Sequence, residues 1–260
     1  MLRVLITEHP ENPEYSLALE EALYHSVARL GSPPILRIWR HRNAIILGYF
    51  QRAEEEVNLD KAQQLNVRVV RRLTGGGAVY HDYGCLLWSI ITRGPVDGGV
   101  NYIYGYLLRG FIDFLRNYAD VRVENVNDIV IYNRKVSGTA ATFDRKGAYL
   151  LHGTLLLKTN LQLMSQLLKV PRIKLQDKGV SDVKYRVANL YELLGREIEL
   201  QELVEKLLEA YSKLLGEKPV IDLPSEKEYK LAEYLYEAKY SKREWNYERK
   251  RIDVRIEDAL

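Results

Sequence analysis

The sequence predicts an α+β fold, a mixed or antiparallel sheet flanked by helices. Three observations predict it. Runs rich in β-branched and aromatic residues, bounded by turn residues, cluster in the first 160 positions. Segments with helical spacing of apolar residues are grouped on either side of them. The strands also do not alternate one by one with helices, as a parallel α/β sheet would require. Taken in order, residues 13–30 read as a first helix, stopped by Gly31-Ser32-Pro33-Pro34. Strand-like runs follow at 35–39, 44–47, 67–73 and 86–92. Residues 103–118 have helical spacing through Tyr104, Leu107, Leu108, Phe111 and Leu115. Residues 129–132, 136–143 and 149–157 read as antiparallel strands joined by short Asn-Arg and Asp-Arg-Lys-Gly turns. The remainder is helix-rich, at 160–168, 187–194, 200–215 and 226–240. No low-complexity linker or internal repeat interrupts the chain, so residues 1–260 read as one domain.

Composition narrows the function. With 47% hydrophobic and 28% charged residues over 260 positions, the chain is globular and not disordered. Lys plus Arg number 38 and Asp plus Glu 35, a net charge of +3, which argues against a protein that coats a polyanion. A single cysteine, Cys85, excludes an internal disulfide framework. No apolar run approaches the ~18–20 residues that span a bilayer. The N-terminus turns polar too early for a signal peptide, so a cytoplasmic location is expected.

Three segments carry chemistry. In Arg71-Arg72-Leu73-Thr74-Gly75-Gly76-Gly77-Ala78-Val79-Tyr80-His81-Asp82, three glycines between two strands let a ligand approach main-chain N–H groups. Successive exposed amides make an anion nest, and the paired arginines add charge. A flexible turn needs neither three glycines nor the arginines. No Gly-Lys-Ser/Thr follows and the next element is a strand, so neither a P-loop nor a dinucleotide fingerprint is present. In Arg134-Lys135-Val136-Ser137-Gly138-Thr139-Ala140, a lysine among small residues can present a compact, mobile charge to phosphate or carboxylate oxygens. Alone, Arg134-Lys135 would read as two solvated residues on a hairpin. In Leu151-His152-Gly153-Thr154, the histidine sits in an apolar strand, where a satisfied core residue is the commoner outcome. His81, Asp82, His152 and Cys85 do not make a zinc pattern.

Together these segments resemble the lipoate–protein ligase family, within the wider biotin/lipoate ligase superfamily. Arg71 through Asp82 matches its arginine, glycine-triplet and His-Asp motif. Asn127-Asp128-Ile129 with Arg134-Lys135-Val136-Ser137-Gly138-Thr139-Ala140 matches its lysine motif, and His152-Gly153-Thr154-Leu155-Leu156 a third. Lys178-Gly179-Val180, Arg186-Val187-Ala188-Asn189-Leu190 and Glu244-Trp245-Asn246-Tyr247 resemble further segments in the same order.

The resemblance implies a catalytic domain similar to the class II aminoacyl-tRNA synthetases, and a two-step reaction. A lipoate carboxylate attacks the α-phosphate of ATP, giving lipoyl-AMP and pyrophosphate. The acyl group then passes to a lysine of an acceptor lipoyl domain, in 2-oxoacid dehydrogenase acyltransferase subunits or the glycine cleavage H protein. Carried over by position, nucleotide contacts fall on Arg72, Gly75, Gly76, Gly77, Ala78, Val79, Tyr80 and Lys135. Lipoate contacts fall on Arg71, His81, Lys135, Ser137, Gly138 and His152. Lys135 touches both the carboxylate and the α-phosphate, and Asp128 positions magnesium or the incoming amine.

Two features depart from the family pattern. Gly84-Cys85-Leu86-Leu87 stands where members often carry Gly-Asn and a further polar residue, and only eleven residues follow Arg249. The second feature resembles split forms, whose accessory C-terminal domain is a separate small protein. Two other functions compete. An octanoyltransferase would use a Cys85 thioester without ATP, with His81 or Lys135 beside the thiol. A non-catalytic ligand or nucleic-acid binding module would rest on Arg71-Arg72 and the tyrosine content alone.

Overall fold

The computed structural model describes residues 1–169 and 187–259. The Lys178-Gly179-Val180 motif and Arg186 lie outside the described residues. In chain order the strands are β1 (Leu2–Ile6), β2 (Ile35–Trp39), β3 (Asn43–Leu47), β4 (Arg68–Arg71), β5 (Val79–Asp82), β6 (Cys85–Arg93), β7 (Arg122–Glu124), β8 (Asp128–Ile131), β9 (Arg134–Phe143), β10 (Ala148–Leu156) and β11 (Pro219–Asp222). Eight of them form one sheet in the order β11-β1-β2-β6-β10-β9-β8-β7, and the other three a small sheet in the order β4-β3-β5. The large sheet is mixed. β11, β1 and β2 run parallel, and from β2 to β7 every neighbour is antiparallel. This is the mixed α+β architecture that the sequence predicts.

Both faces of the large sheet are covered, so its central strands are apolar on both sides. On β6, Leu86, Trp88 and Ile90 enter a core shared with α5 (Leu108–Leu115) and α8 (Leu200–Leu215). The alternate residues Cys85, Leu87 and Ile91 face the other way. There α1 (Pro13–Arg29) and α9 (Glu226–Leu235) cover one part of the face, and the small sheet covers the rest. α1 starts at Asn12, whose side chain accepts from the Tyr15 amide, and has Pro13 in its first turn. Packed between sheet and α9, it is buried almost all round, which explains its weak amphipathic pattern.

The shorter helices are α2 (Ala53–Glu56), α3 (Leu59–Gln64), α4 (Gly99–Tyr102), α6 (Leu161–Leu167), α7 (Leu190–Leu194) and α10 (Arg243–Asn246). Residues 103–118 are not one regular α-helix, because a π-helical turn at Ile103–Leu107 joins α4 to α5. A second π-helical turn, Tyr236–Tyr240, ends the segment that begins with α9. The short strands β1, β5, β7 and β11 were not expected from the sequence. The β8–β9 turn is Tyr132-Asn133, not Asn-Arg, and both residues have positive φ, as a two-residue hairpin turn of matching twist requires.

Candidate active site

The glycine loop joins β4 to β5 in the small sheet. Arg71 and Arg72 are adjacent at the end of β4, so their side chains leave on opposite faces. Arg72 turns inward and is buried. Its Nε donates to Thr74 Oγ1 at 2.9 Å, and its Nη2 to the carbonyls of Gly75 at 2.6 Å and Gly77 at 2.9 Å. The Thr74 carbonyl accepts from the Tyr49 amide at 2.8 Å. The loop carbonyls are thus gathered inward around a cation. Among the described residues the amides of Gly75, Gly76 and Gly77 meet no acceptor, which leaves them free to bind an anion. Burial lowers the Arg72 guanidinium to about 10, still cationic at neutral pH.

Two glycines are indispensable here. Gly76 has φ +90°, a left-handed conformation that side chains rarely adopt. A Cβ on Gly48 would fall 2.0 Å from the Gly76 carbonyl oxygen, so the segment after β3 lies directly against the loop. Arg71 is fully buried, and its guanidinium donates to the main-chain carbonyls of Gly48, Tyr49, Gln51, Trp245 and Asn246. It faces away from the lysine motif. Tyr80 likewise points into the core behind the small sheet and donates to Asn43 Oδ1 at 3.0 Å.

Lys135 comes from β9. Its ammonium pairs with the Asp128 carboxylate on β8, whose cross-strand partner is Gly138. Residues three apart on a regular strand face opposite ways. The pairing shifts between Ile129 and Val130, leaving one extra residue on β9 between Lys135 and Ser137. That bulge returns Lys135 to the face of Gly138, where a Cβ would sit 3.1 Å from Nζ. Glycine at 138 therefore makes room for the lysine. Ser137 pairs with Ile129, a residue of the α5/α8 core, so it lies on the opposite face from Lys135. Gly153 also serves the core, because the Trp88 ring fills the place of its side chain at 3.0 Å.

The loop and the lysine meet over one sheet face. A Cβ at Gly76 would lie 3.7 Å from Ala140, two residues beyond Gly138 and directly opposite His152. From Ala140 a polar row runs across the sheet through His152 on β10 and Ser89 on β6 to Arg37 on β2, each the cross-strand partner of the next. Above it His152 Nδ1 meets Glu20 Oε2 of α1 at 2.9 Å, and His152 Nε2 meets Thr74 Oγ1 at 2.8 Å. The hydrogen bonds form one chain from Arg72 through Thr74 and His152 to Glu20. Burial pushes the Glu20 carboxyl up, but His152 and Arg37 outweigh it and hold the acid below its ordinary range. Burial lowers Arg37 to about 10, and it donates to Thr7 Oγ1 and to both oxygens of Ser16.

His81, on the inner face of β5, shares a 3.1 Å Nδ1–Nδ1 hydrogen bond with His41. Burial lowers His41 to about 3, helped by the charge of Arg37. Burial also holds His81 well below its ordinary value, with His41, Arg72 and His152 adding to the shift. Both rings are therefore neutral, and among the described residues neither buried Nε2 meets a hydrogen-bond partner. Glu20, Arg37 and His41 were missed from the sequence. The one visible trace of their network was Ser89, a polar residue in the apolar run Leu86-Leu87-Trp88-Ser89-Ile90-Ile91.

Cys85 is fully buried in the core between the two sheets, and burial raises its thiol pKa far above the ordinary value. A group held as a thiol there is a poor nucleophile. Among the described residues no three His, Cys, Asp or Glu side chains cluster as a metal site. No helix among them is long and apolar enough to cross a membrane.

A nest of amides and a mobile lysine over one sheet face suit an enzyme that brings two anionic groups together. The chain belongs to the lipoyl protein ligase A/B catalytic domain family, whose model matches residues 12–212. It is similar to a chain in the structure of a bi-partite lipoate protein ligase and its E2 lipoyl domain from Thermoplasma acidophilum. The TM-score is 0.88 at 37% identity, covering 97% of this chain and 98% of that one. It also resembles a putative lipoate protein ligase of T. acidophilum with bound lipoic acid, with TM-score 0.82, 34% identity and coverage of 94% and 98%. A lipoate-protein ligase A bound with ATP matches at TM-score 0.83 and 34% identity, over 94% of this chain and 97% of that one.

Proposed function

We propose that the chain is an ATP-dependent lipoate–protein ligase, with residues 1–260 as one catalytic domain acting in the cytoplasm. The observation that carries this reading is the convergence of the glycine loop, whose amides meet no acceptor among the described residues, and Lys135 on one sheet face. The amides of residues 75–77 bind nucleotide phosphates, with Arg72 holding the loop in shape from behind rather than touching the ligand. A lipoate carboxylate oxygen attacks the α-phosphorus, the bond to the bridging oxygen breaks, and pyrophosphate leaves. Lys135 offsets the charge that builds as carboxylate and phosphate approach. The neutral amine of an acceptor lysine then attacks the acyl carbon, AMP departs, and the amide forms with release of one proton. Asp128 holds the Lys135 ammonium in place.

Asp128, the carboxylate beside Lys135, would hold a magnesium ion that accompanies ATP. The ion would neutralise phosphate charge there. The acyl chain is proposed to contact His152, opposite Ala140 on the Lys135 face, and His81 near it. The acceptors are lipoyl domains of 2-oxoacid dehydrogenase acyltransferase subunits and the glycine cleavage H protein. A separate accessory protein is also proposed, supported by coverage of nearly all of one chain of the bi-partite archaeal ligase. A buried, protonated Cys85 leaves the thioester route without its nucleophile.

Incubation with ATP, lipoate and a lipoyl domain, read by intact mass, tests the function. A lipoyl mass increment that needs ATP supports it. Transfer from an acyl thioester supplied in place of lipoate and ATP overturns it. Running the two half-reactions separately, with and without a candidate accessory protein, tests the partner, and full lipoate activation by the isolated chain removes the need for one.

A further inference from the structure

The Glu244-Trp245-Asn246-Tyr247 segment is far in sequence from the glycine loop, yet it is fastened to the strand that launches that loop. Among the described residues β4 is an edge strand, paired with β3 on one side. On its open side the side chains of α10 take the place of a neighbouring strand. Asn246 Oδ1 accepts from the Arg71 amide at 2.9 Å, and Trp245 Nε1 donates to the Arg71 carbonyl at 2.9 Å. Asn246 is itself fixed, since its Nδ2 donates to the Tyr240 carbonyl at 2.7 Å. The Trp245 indole carries the Lys239 ammonium 4.1 Å from its centroid and packs against the Tyr49 ring.

Arg71 relays this contact inward. Its guanidinium joins the carbonyls of Trp245 and Asn246 to those of Gly48, Tyr49 and Gln51, while Arg249 Nη1 takes the Phe50 carbonyl at 2.9 Å. Every carbonyl of residues 48–51 is thus held by an arginine. That segment is the back wall of the glycine loop. The Tyr49 amide donates to the Thr74 carbonyl, and Gly48 abuts the Gly76 carbonyl.

We infer that Trp245 and Asn246 are positioning residues for the nucleotide loop, acting through Arg71 and residues 48–51 on the orientation of the Gly75–Gly77 amides. The inference rests on the proposed reading of that loop as the ATP site. Neither residue lies on the sheet face that carries Lys135, so the effect falls on nucleotide binding and spares lipoate.

Calorimetric titration of the full chain with ATP, and separately with lipoate, tests it on Asn246→Ala and on Trp245→Phe, which keeps an aromatic ring at the site and loses the indole donor. Removing one such hydrogen bond should weaken ATP binding about tenfold. Lipoate affinity should stay within about twofold of the parent, and the melting curve should remain cooperative. Trp245→Phe carries the test if Asn246→Ala does not fold. Gly76→Val separates the two levels of argument. If it leaves ATP binding intact, the glycine loop is not the nucleotide site and the proposed function falls with the latch. If it abolishes ATP binding while both latch variants bind ATP like the parent, or lose ATP and lipoate in equal measure, the latch alone is overturned.

Discussion

The buried His41–His81 pair makes the stability of the protein depend on pH in a window where few other groups titrate. His41 is fully buried, and burial lowers its pKa from the ordinary 6.5 to about 3, so it stays neutral in the folded state down to pH 5. In the unfolded chain it takes up a proton as pH falls through 6.5. The unfolded state then binds more protons, and stability present above pH 6.5 is lost on acidification. Between pH 7 and 5 this linkage amounts to about 2 kcal/mol for His41, whatever its folded value below 5. His81, lowered in the same direction and also buried, adds to the loss. Carboxylates contribute little in this window. Glu21, held at about 2 against burial by Lys239, His25 and Tyr240, costs only about 0.2 kcal/mol at pH 5, because the unfolded acid is still mostly ionised. Urea unfolding at pH 7 and pH 5 should therefore show wild type losing stability on acidification, and His41→Gln losing about 2 kcal/mol less. Equal pH dependence in the two proteins would falsify the assignment of His41 as a buried neutral ring.

Lys135→Ala should lower lipoyl-AMP formation by about 10²–10³-fold while leaving the melting temperature near that of the parent. Pyrophosphate release at the parent rate would remove the lysine from the reaction, and Lys135→Arg should rescue poorly, since a planar fork does not fit over Gly138. Cys85→Ser should keep ATP-dependent transfer and cost about 1–3 kcal/mol of stability for the buried hydroxyl, and an acyl adduct trapped on Cys85 in mass spectra would restore the thioester route. Glu20→Gln removes the charge against His152 Nδ1 and should cost about 1–3 kcal/mol in denaturant unfolding. An unchanged midpoint would show that the charge contributes nothing to that network.

The long elements were legible because their patterns repeat. α8 was expected at its observed bounds, residues 200–215, since its apolar stripe is unbroken and Gly216 follows with φ +65°. β6 and β10 were legible as apolar runs covered on both faces. β1 and β11 were not, because each is short and finds its partners through parallel pairing at long range, for which the local sequence holds no mark. The glycine loop declared itself through three missing side chains. Its supports did not, since Glu20 stands beside Glu21 in a helix with no sequence mark of burial.

The division of labour between Arg71 and Arg72 was in reach of the sequence alone. Two adjacent residues of one strand cannot both face the same ligand, so one of the pair had to serve the far side of the small sheet. Which one could not be read, because that depends on where β3 and β5 place the loop. The reverse holds for Lys135 and Gly138. Regular alternation would separate them, and only an extra residue in β9 unites them, a feature with no sequence mark in Val136-Ser137. The structure thus reads the same motifs differently at each end. At the loop it separates neighbours into ligand site and latch, and at the lysine it brings together residues that strand geometry would set apart.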